Sequence, residues 1–438
     1  MFSMQAGLIA RLPVVALLAA LALAGCAASA PTLGPATTAQ LPSQRGAIAR
    51  DVETGALPAA AETPAGPARR EPVKIALLLP LGASGQTASI ADALRKAGEL
   101  ALFEQNAAGV QLLVRDDKGT PDGARIAAEE AVKAGVELVI GPLFSKSVAA
   151  AAPVIRAARR PMIAFSTDRQ VAAGDIMLLS HPVEGDVQRI ISYAGAQGKK
   201  RIVALVTDDA FGKLASVSLA EVARQSGVTV VATETYAPTM GAMLEALQKV
   251  SALIANAAGE GLPVDALFLP GGEDTLAAMS PLLKQANIDT AQIKILGTGG
   301  LDYPHASRNP QLAGAWFPGP DPRGWRDFSE KYAKAYGSAP PRIASLAFDA
   351  VTIAVALSGG PDGARYSAAT LARASGFTGV DGLVRFRADG TPERALAVLE
   401  VRDFGPSVID QATGLGTAPA QVSAQAGPPV ARPNGLVN

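Results

Sequence analysis

The sequence predicts an α/β protein built from two Rossmann-like, doubly wound lobes. Three observations lead to this fold class. Apolar runs of strand length alternate with amphipathic stretches of helix length, the alternation occurs as two series, and both ends of the chain differ from it in composition. At 438 residues the chain is long enough for about two to three domains, at roughly 150 residues each.

The first series begins with the apolar run 73–79, followed by the amphipathic stretch 90–105. This pair predicts a strand and then a helix, and its repetition has the spacing of βα units in a parallel sheet. Further strands are predicted over 110–114, 137–140 and 161–165, and further helices over 124–134 and 147–158.

The second series starts after residue 184. One predicted helix of this series ends near residue 196, and three more cover 213–225, 241–258 and 275–285. The predicted strands cover 201–206, 228–233, 265–269 and 292–296. Two such series predict two doubly wound lobes, and open α/β sheets bind ligands beyond the carboxyl ends of their strands. We therefore expect the binding site in the cleft between the lobes.

The remaining part of the core predicts helices over 325–336 and 344–358 and a closing hairpin. The β-rich runs 382–387 and 396–402 flank an Asp389-Gly390 turn, which favours a hairpin. With chain crossovers near 180–184, 297–301 and 341–345, the expected first lobe is about 73–182 plus 300–343. The expected second lobe is about 183–299 plus 344–404.

Composition and charge exclude several function classes. Hydrophobic residues make up 49% of the chain, which favours a globular core. Lys plus Arg and Asp plus Glu both number 39, so no basic surplus exists for nucleic acid. The two histidines, His181 and His305, stand in no metal-ligand spacing, and no nucleophile elbow, P-loop or dinucleotide fingerprint is present. We expect no enzyme activity, no metal and no cofactor.

The amino-terminal segment predicts export. The apolar run 12–24 is shorter than the about 20 residues of a transmembrane helix and fits a signal peptide over 1–25. Residues 23–26, Leu-Ala-Gly-Cys, resemble the lipobox of bacterial lipoproteins, which implies lipidation of Cys26 and a membrane anchor. A plain secretory signal or an uncleaved anchor helix are the alternatives. Ala27 replaces the Asp typical of inner-membrane retention, which favours the outer membrane.

Segments rich in Ala, Pro and Gly flank the core on both sides. Residues 26–72 have few large apolar residues and no period of a strand or helix, which predicts a flexible tether. Residues 405–438 have the same character and are expected to be a disordered tail.

Four segments inside the core resemble a known family. They are VKIALLLP from Val73, GPLFSKSVAAAAPVI from Gly141, PMIAFSTD from Pro161 and VTDDAFG from Val206. Together they are similar to leucine-binding-type periplasmic binding proteins (type I) over about 73–404. The finer pattern of IALLLPL, IGPLFS and the lipobox resembles the penicillin-binding protein activators, lipoproteins that reach periplasmic peptidoglycan synthases.

In the first lobe, two loops carry candidate ligand-binding residues. Ser145 and Ser147 lie where a helix begins, and free backbone amides there favour an anion such as a ligand carboxylate. The alternative is that a serine caps the helix. Ser166 and Thr167 end the next strand and face the cleft in the family, or they belong to an ordinary polar loop.

The remaining candidates are Asp209, Phe211, Glu273 and Asp302. The first two follow a strand where relatives place an aromatic over the ligand, although Phe211 could instead pack in the core. Glu273 follows a glycine pair that could simply form a tight turn. Branched-chain amino-acid binders usually carry an acid within 297–300, whereas here the next acid is Asp302. We therefore expect an anion rather than a zwitterion in the cleft.

Two functions fit these observations. One is an activator of peptidoglycan synthesis that uses the fold to contact a synthase. The other is the solute-binding receptor of an ABC importer for amino acids or related small molecules. The first predicts a protein partner, and the second predicts a small-molecule ligand and a permease.

Overall fold

The computed structural model of the protein describes residues 71–303 and 305–415. The expected signal peptide, Cys26, nearly all of the tether and the tail beyond residue 415 lie outside this part. Two separate, mainly parallel sheets with packed helices confirm the predicted α/β fold class. None of the helices in the described ranges has the length and hydrophobicity needed to span a membrane.

The first sheet, counted over the described residues, has five parallel strands. Its elements are β1 (Val73–Leu79), α1 (Gly85–Glu104), β2 (Val110–Asp116), α2 (Pro121–Lys133), β3 (Leu138–Ile140), α3 (Ser145–Ala157), β4 (Met162–Ala164) and β5 (Ile176–Leu178). The strand order is β2-β1-β3-β4-β5. Strand β1 lies inside the sheet with helices on both faces, which explains its continuous apolar sequence. Strand β5 was not predicted from the sequence.

The second series of elements builds the other sheet. It comprises α4 (Val183–Ala196), β6 (Arg201–Thr207), α5 (Ala210–Ser226), β7 (Thr229–Tyr236), α6 (Met240–Gly259), β8 (Ala266–Phe268), α7 (Glu273–Gln285), β9 (Lys294–Leu296) and β10 (Trp316–Gly319). Most of these elements match the predicted alternation within a few residues. Strand β10 was not predicted from the sequence. Residues 297–315, which precede it, carry no strand pattern either.

The last part of the core divides between the lobes. Its elements are α8 (Pro322–Tyr336), α9 (Ala344–Ser358), α10 (Ala368–Leu371), β11 (Phe377–Gly379), β12 (Gly382–Phe386), β13 (Pro392–Arg394), β14 (Ala397–Arg402) and β15 (Gly405–Asp410). Strands β14 and β15 extend the second sheet in the order β15-β14-β10-β9-β8-β6-β7, with β14 antiparallel to β10. Strands β11, β12 and β13 form a small antiparallel sheet.

The predicted hairpin and tail are therefore partly wrong. Strand β12 pairs with the short β13, with Phe386 opposite Pro392, and not with the run 396–402. That run is β14, whose neighbours lie in the second sheet. Residues 405–410, expected to be disordered, form β15 because β14 offers an unpaired edge.

The lobe boundaries also differ from the prediction. Helices α8 and α9 and the small sheet share a core with β1 and α1, so about 321–395 belongs to the first lobe together with 73–179. The second lobe comprises about 183–319 and 397–410. The first crossover, near 180–182, agrees with the prediction. The other two lie near 320 and 395–396, so those predicted at 297–301 and 341–345 are wrong.

The packing of α9 explains this error. Helix α9 is apolar on nearly every side, so its pattern does not identify the sheet that it covers. The small residues of α1 decide the partner, because a Cβ atom at Gly98 would lie only 3.4 Å from Val351 of α9. The lack of a side chain there lets the two helices approach closely.

Candidate functional site: the cleft between the lobes

A cavity of about 650 Å³ lies between the two lobes. Phe165 and Thr167, which follow β4, line it from the first lobe. Phe211, which follows β6, and Gly271, which follows β8, line it from the second. The cavity thus lies at the carboxyl ends of strands from both sheets, where doubly wound folds hold their ligands.

Glycines allow two loops of the second lobe to meet at the cavity. A Cβ atom at Gly300 would lie 1.8 Å from the carbonyl oxygen of Gly271, so only glycine fits at position 300. Both residues line the cavity. Close backbone contact with the loop after β8 therefore explains why the loop 297–300 is rich in glycine.

Most of the cavity wall is apolar. The apolar side chains are those of Phe165, Val183, Phe211, Pro318, Pro320, Ile343, Leu346 and Leu396. A few polar groups interrupt this wall, among them Thr167, Thr298 and the charged residues discussed next. Such a wall with few polar groups is typical of sites for small organic ligands.

Arg342 is held by carboxylates from both lobes. Its Nη1 lies 2.6 Å from Asp381 Oδ1 in the first lobe, and its Nε lies 3.3 Å from Asp302 Oδ2 in the second. Burial by itself lowers the pKa of Arg342, but these two carboxylates outweigh burial and raise it. Its guanidinium also lies 4.5 Å from the ring centre of Trp325. Arg342 is thus charged and already paired.

His181 is neutral near physiological pH. Its Nε2 lies 3.2 Å from Asp381 Oδ2, which also accepts a 2.7 Å hydrogen bond from the Ser345 hydroxyl. Burial and the nearby charge of Arg394 lower the pKa of His181 to about 4. Burial opposes ionisation of Asp381, but His181, Arg342 and Arg394 together hold its pKa well below the usual value. Asp381 is therefore the shared anion of this cluster.

Asp186 is the other carboxylate in the cavity wall. It lies in the first turn of α4, is 9% exposed, and its Oδ2 accepts a 2.8 Å hydrogen bond from the backbone N–H of Gly299. Among the described residues it has no side-chain ion-pair partner. Burial raises its pKa to about 7, although the Gly299 hydrogen bond and the distant charge of Arg394 oppose this shift.

Three of the residues predicted from the sequence line the cavity. They are Thr167, Phe211 and Asp302. Phe211 is 38% exposed, so the alternative of full core packing does not describe it. Ser166 adjoins Thr167, and its hydroxyl accepts a hydrogen bond from the Asp168 N–H at 3.1 Å.

The other predicted residues lie elsewhere. Ser145 and Ser147 are in the first turn of α3 and neither caps it, because Phe144 is the N-cap residue. Ser147 is fully buried. Asp209 caps α5, with its Oδ1 accepting a 2.8 Å hydrogen bond from the Gly212 N–H. Glu273 is an exposed first residue of α7.

Sequence reasoning missed Asp186, Arg342 and Asp381. Asp186 lies in the first turn of a helix, where acidic residues are common because they stabilise the helix even when no ligand is bound. Arg342 and Asp381 are 39 residues apart in the sequence (381 minus 342) and pair only through the fold. His181 and Arg342 fell within the predicted crossovers 180–184 and 341–345, and these were the available signals. No group of acid, histidine or cysteine side chains in the described ranges is arranged to hold a metal ion.

Comparison with known proteins identifies the family. A family profile described as "Periplasmic binding protein" matches residues 72–406. The chain belongs to the periplasmic binding protein family. This family comprises ligand binders that are typically not enzymes. No curated protein sequence matches the chain significantly.

Solved structures of periplasmic binding proteins share its fold. One is a putative branched-chain amino acid ABC transporter from Rhodospirillum rubrum, with a TM-score of 0.67 and 21% identity over 77% of this chain and 100% of that one. A Brucella ovis protein that binds leucine, isoleucine, valine, threonine and alanine, in a closed conformation, has a TM-score of 0.63 and 18% identity over 79% and 97%.

A solute-binding protein from R. palustris in complex with benzoate has a TM-score of 0.57 and 19% identity over 78% of this chain and 96% of that one. At these identities the likeness establishes the fold alone. Proteins of this fold bind zwitterionic as well as anionic ligands, so the ligand chemistry of this cleft has to be inferred from its own residues.

Proposed function

We propose that the protein is a periplasmic receptor that binds a small organic molecule in its cleft and delivers it to an ABC importer. The observation that carries this proposal is the cavity of about 650 Å³ lined by strand ends from both lobes. Its volume is within the roughly 300–1,000 Å³ of small-molecule sites. Solved proteins of the same fold are described as ABC transporter solute-binding or substrate-binding proteins in complex with benzoate or leucine.

The first test is a thermal unfolding screen of the full chain. The compounds are amino acids, amines and aromatic or aliphatic carboxylates at about 1 mM. A ligand at a hundredfold excess over its Kd stabilises the folded state by roughly 2.7 kcal/mol, which raises the Tm of a domain of this size by roughly 4 °C.

Two phenylalanine variants provide the comparison. Phe211→Ala removes part of the cavity wall and should reduce the Tm increase, whereas Phe103→Ala, at a 78% exposed site on α1, should leave it unchanged. If no compound shifts the Tm, and denatured protein from the periplasm releases no small molecule by mass spectrometry, the receptor proposal is wrong.

A second candidate is an activator of peptidoglycan synthesis. The segments IALLLPL and IGPLFS and the Cys26 lipobox support it by their resemblance to that branch. Affinity capture from solubilised envelopes, read by mass spectrometry, separates the two functions. Recovery of a peptidoglycan synthase would support the activator, and recovery of an importer permease would support the receptor.

A further inference from the structure

The charge balance around the cleft is negative. Four carboxylates, those of Asp186, Asp302, Asp349 and Asp381, face two guanidinium groups, those of Arg342 and Arg394. His181 adds no charge near neutral pH because its pKa is lowered to about 4. The described cluster thus has two more carboxylates than cations when every Asp is ionised.

The two cations of this cluster differ in their surroundings. Arg342 pairs with Asp381 and Asp302 and is the only Lys or Arg among the described residues that lines the cavity. Arg394 lies behind the cavity wall, where its Nε donates to the carbonyl oxygen of Ser180 at 2.7 Å and its two Nη atoms are buried without a hydrogen-bond partner in the described part of the chain. A ligand carboxylate would therefore find no unpaired side-chain cation there.

Asp186, in contrast, has an unused acceptor. Its Oδ2 is bound to the Gly299 N–H, and its Oδ1 accepts no hydrogen bond from any described residue. The residue is nevertheless nine-tenths buried in the cavity wall. A buried carboxylate without an ion pair is costly, and a ligand cation that pairs with it removes that cost.

The neighbouring wall suits the rest of such a ligand. Val183, three residues before Asp186 on the same helical face, and Leu396 present aliphatic surface. Phe165 and Phe211 line the same cavity from opposite lobes. Aromatic faces attract ammonium groups as well as apolar groups.

We propose that the cleft ligand is an organic cation with an apolar body and no carboxylate, and that Asp186 binds its ammonium group. This inference rests on the ligand-binding function proposed above. It reverses the expectation from the sequence, which considered only the loop 297–300 and predicted an anion. The acid that this loop lacks is supplied by α4.

Three probes that share an isobutyl group test the charge. They are 3-methylbutylamine, leucine and 4-methylpentanoate, titrated into the full-length protein at about pH 8 by calorimetry, where Asp186 is ionised. We expect the amine to bind at least tenfold more tightly than the other two. Leucine should shift the Tm by less than about 1 °C at millimolar concentration.

Matched variants test the residue. Asp186→Asn should weaken amine binding at least tenfold, whereas Glu245→Gln should leave it unchanged. Glu245 is an exposed acid of α6 that pairs with Lys249 of the same helix and does not line the cavity. If Asp186→Asn does not fold, the order of the three probes on the wild-type protein decides the proposal.

Each other outcome has a defined meaning. Tighter binding of leucine or 4-methylpentanoate, or equal binding of the amine to Asp186→Asn, overturns the cation proposal and leaves the receptor function intact. If none of the three probes binds, the best compound of the thermal screen replaces them, and a carboxylate in that compound overturns the proposal. If the whole screen fails and no small molecule is released, the receptor function fails as well.

Discussion

At the scale of single residues, burial controls the ionisation of several acids. Desolvation raises the pKa of Asp186 and of Asp349 to about 7 and that of Asp117 to about 6. For Asp349 the neighbouring Asp381 adds to this effect, and the hydrogen bond from the Val380 N–H opposes it. The folded protein therefore holds protons that the unfolded chain, with Asp pKa values near 3.8, has already lost.

We predict that the free energy of unfolding falls as the pH rises from about 4.5 to about 7. The folded state binds more protons than the unfolded state in this window, so deprotonation favours unfolding. His181 acts in the opposite direction, because its pKa in the folded state is about 4, below the 6.5 of the unfolded chain. Acids with a lowered pKa, such as Glu393 and Asp381, also act in the opposite direction, but mostly below about pH 5, so the decline should remain above that pH.

Thermal unfolding at a series of pH values measures this effect. Asp349→Asn should make the pH dependence shallower, because the amide keeps the hydrogen bond from Val380 and has no proton to lose. Asp92→Asn is the control for a carboxylate with a lowered pKa, since Asp92 is paired with Lys96 and Arg95 near the surface. A Tm that rises steadily with pH up to about 7 would contradict the prediction.

At the scale of elements, two contacts decide how helices begin and pack. The Asp209 carboxylate accepts hydrogen bonds from the Gly212 N–H and the Thr207 hydroxyl, both at 2.8 Å, and so caps α5. Helix α1 approaches α9 through Gly98. The first contact makes Asp209, which was predicted to bind the ligand, a helix cap. The second contact places α9 in the first lobe.

We predict that Asp209→Ala destabilises the protein by about 1 kcal/mol through loss of the helix cap. Asp209→Asn should recover most of the loss, because an amide oxygen also accepts from the Gly212 N–H. Denaturant unfolding measures both variants. If Asp209→Ala is as stable as the wild type but loses ligand binding, Asp209 acts on the ligand and not as a cap.

We predict that Gly98→Val destabilises the protein by roughly 1–3 kcal/mol, because the added methyl groups meet Leu77 and Val351 in a packed core. Gly241→Val, also at a helical glycine but with open space around it, should cause no loss of stability, because valine has a higher helix propensity than glycine. Equal losses in the two variants would argue against the close packing of α1 on α9.

At the scale of the whole molecule, the lobes are connected by chain crossovers and by side-chain contacts. The Arg342–Asp302 and Arg169–Glu184 pairs join the lobes at 3.3 and 3.1 Å. Proteins that bind ligands between two lobes close by hinge motion. A ligand that bridges the cleft would add to these contacts and favour the closed arrangement.

We predict that Cys26→Ala releases the protein from the membrane fraction without changing its fold. Cys26 lies outside the described residues, and the lipobox resemblance predicts that acyl chains on Cys26 are the anchor. Fractionation after a high-salt wash measures the release, and circular dichroism of the variant checks the fold. A variant that stays with the membranes would contradict the lipoprotein prediction.

Local patterns in the sequence were enough to determine the fold class and most of the helices and strands. Strand β1 is a continuous apolar run because both of its faces are buried, and this burial is visible in seven neighbouring residues. The same is true of the repeated βα spacing. The patterns also located the cleft at the strand ends, and the resemblance to leucine-binding-type proteins pointed to Thr167, Phe211 and Asp302, which line it.

Tertiary structure alone decided the lobe of α9, the course of β14 and the charge of the cleft. Helix α9 is apolar on nearly all sides, so periodicity does not show which sheet it covers. Asp186 meets Gly299 across 113 residues of sequence, and Arg342 meets carboxylates of both lobes. A pKa or an ion pair depends on distances between groups that are remote in sequence, and only the folded chain brings those groups together.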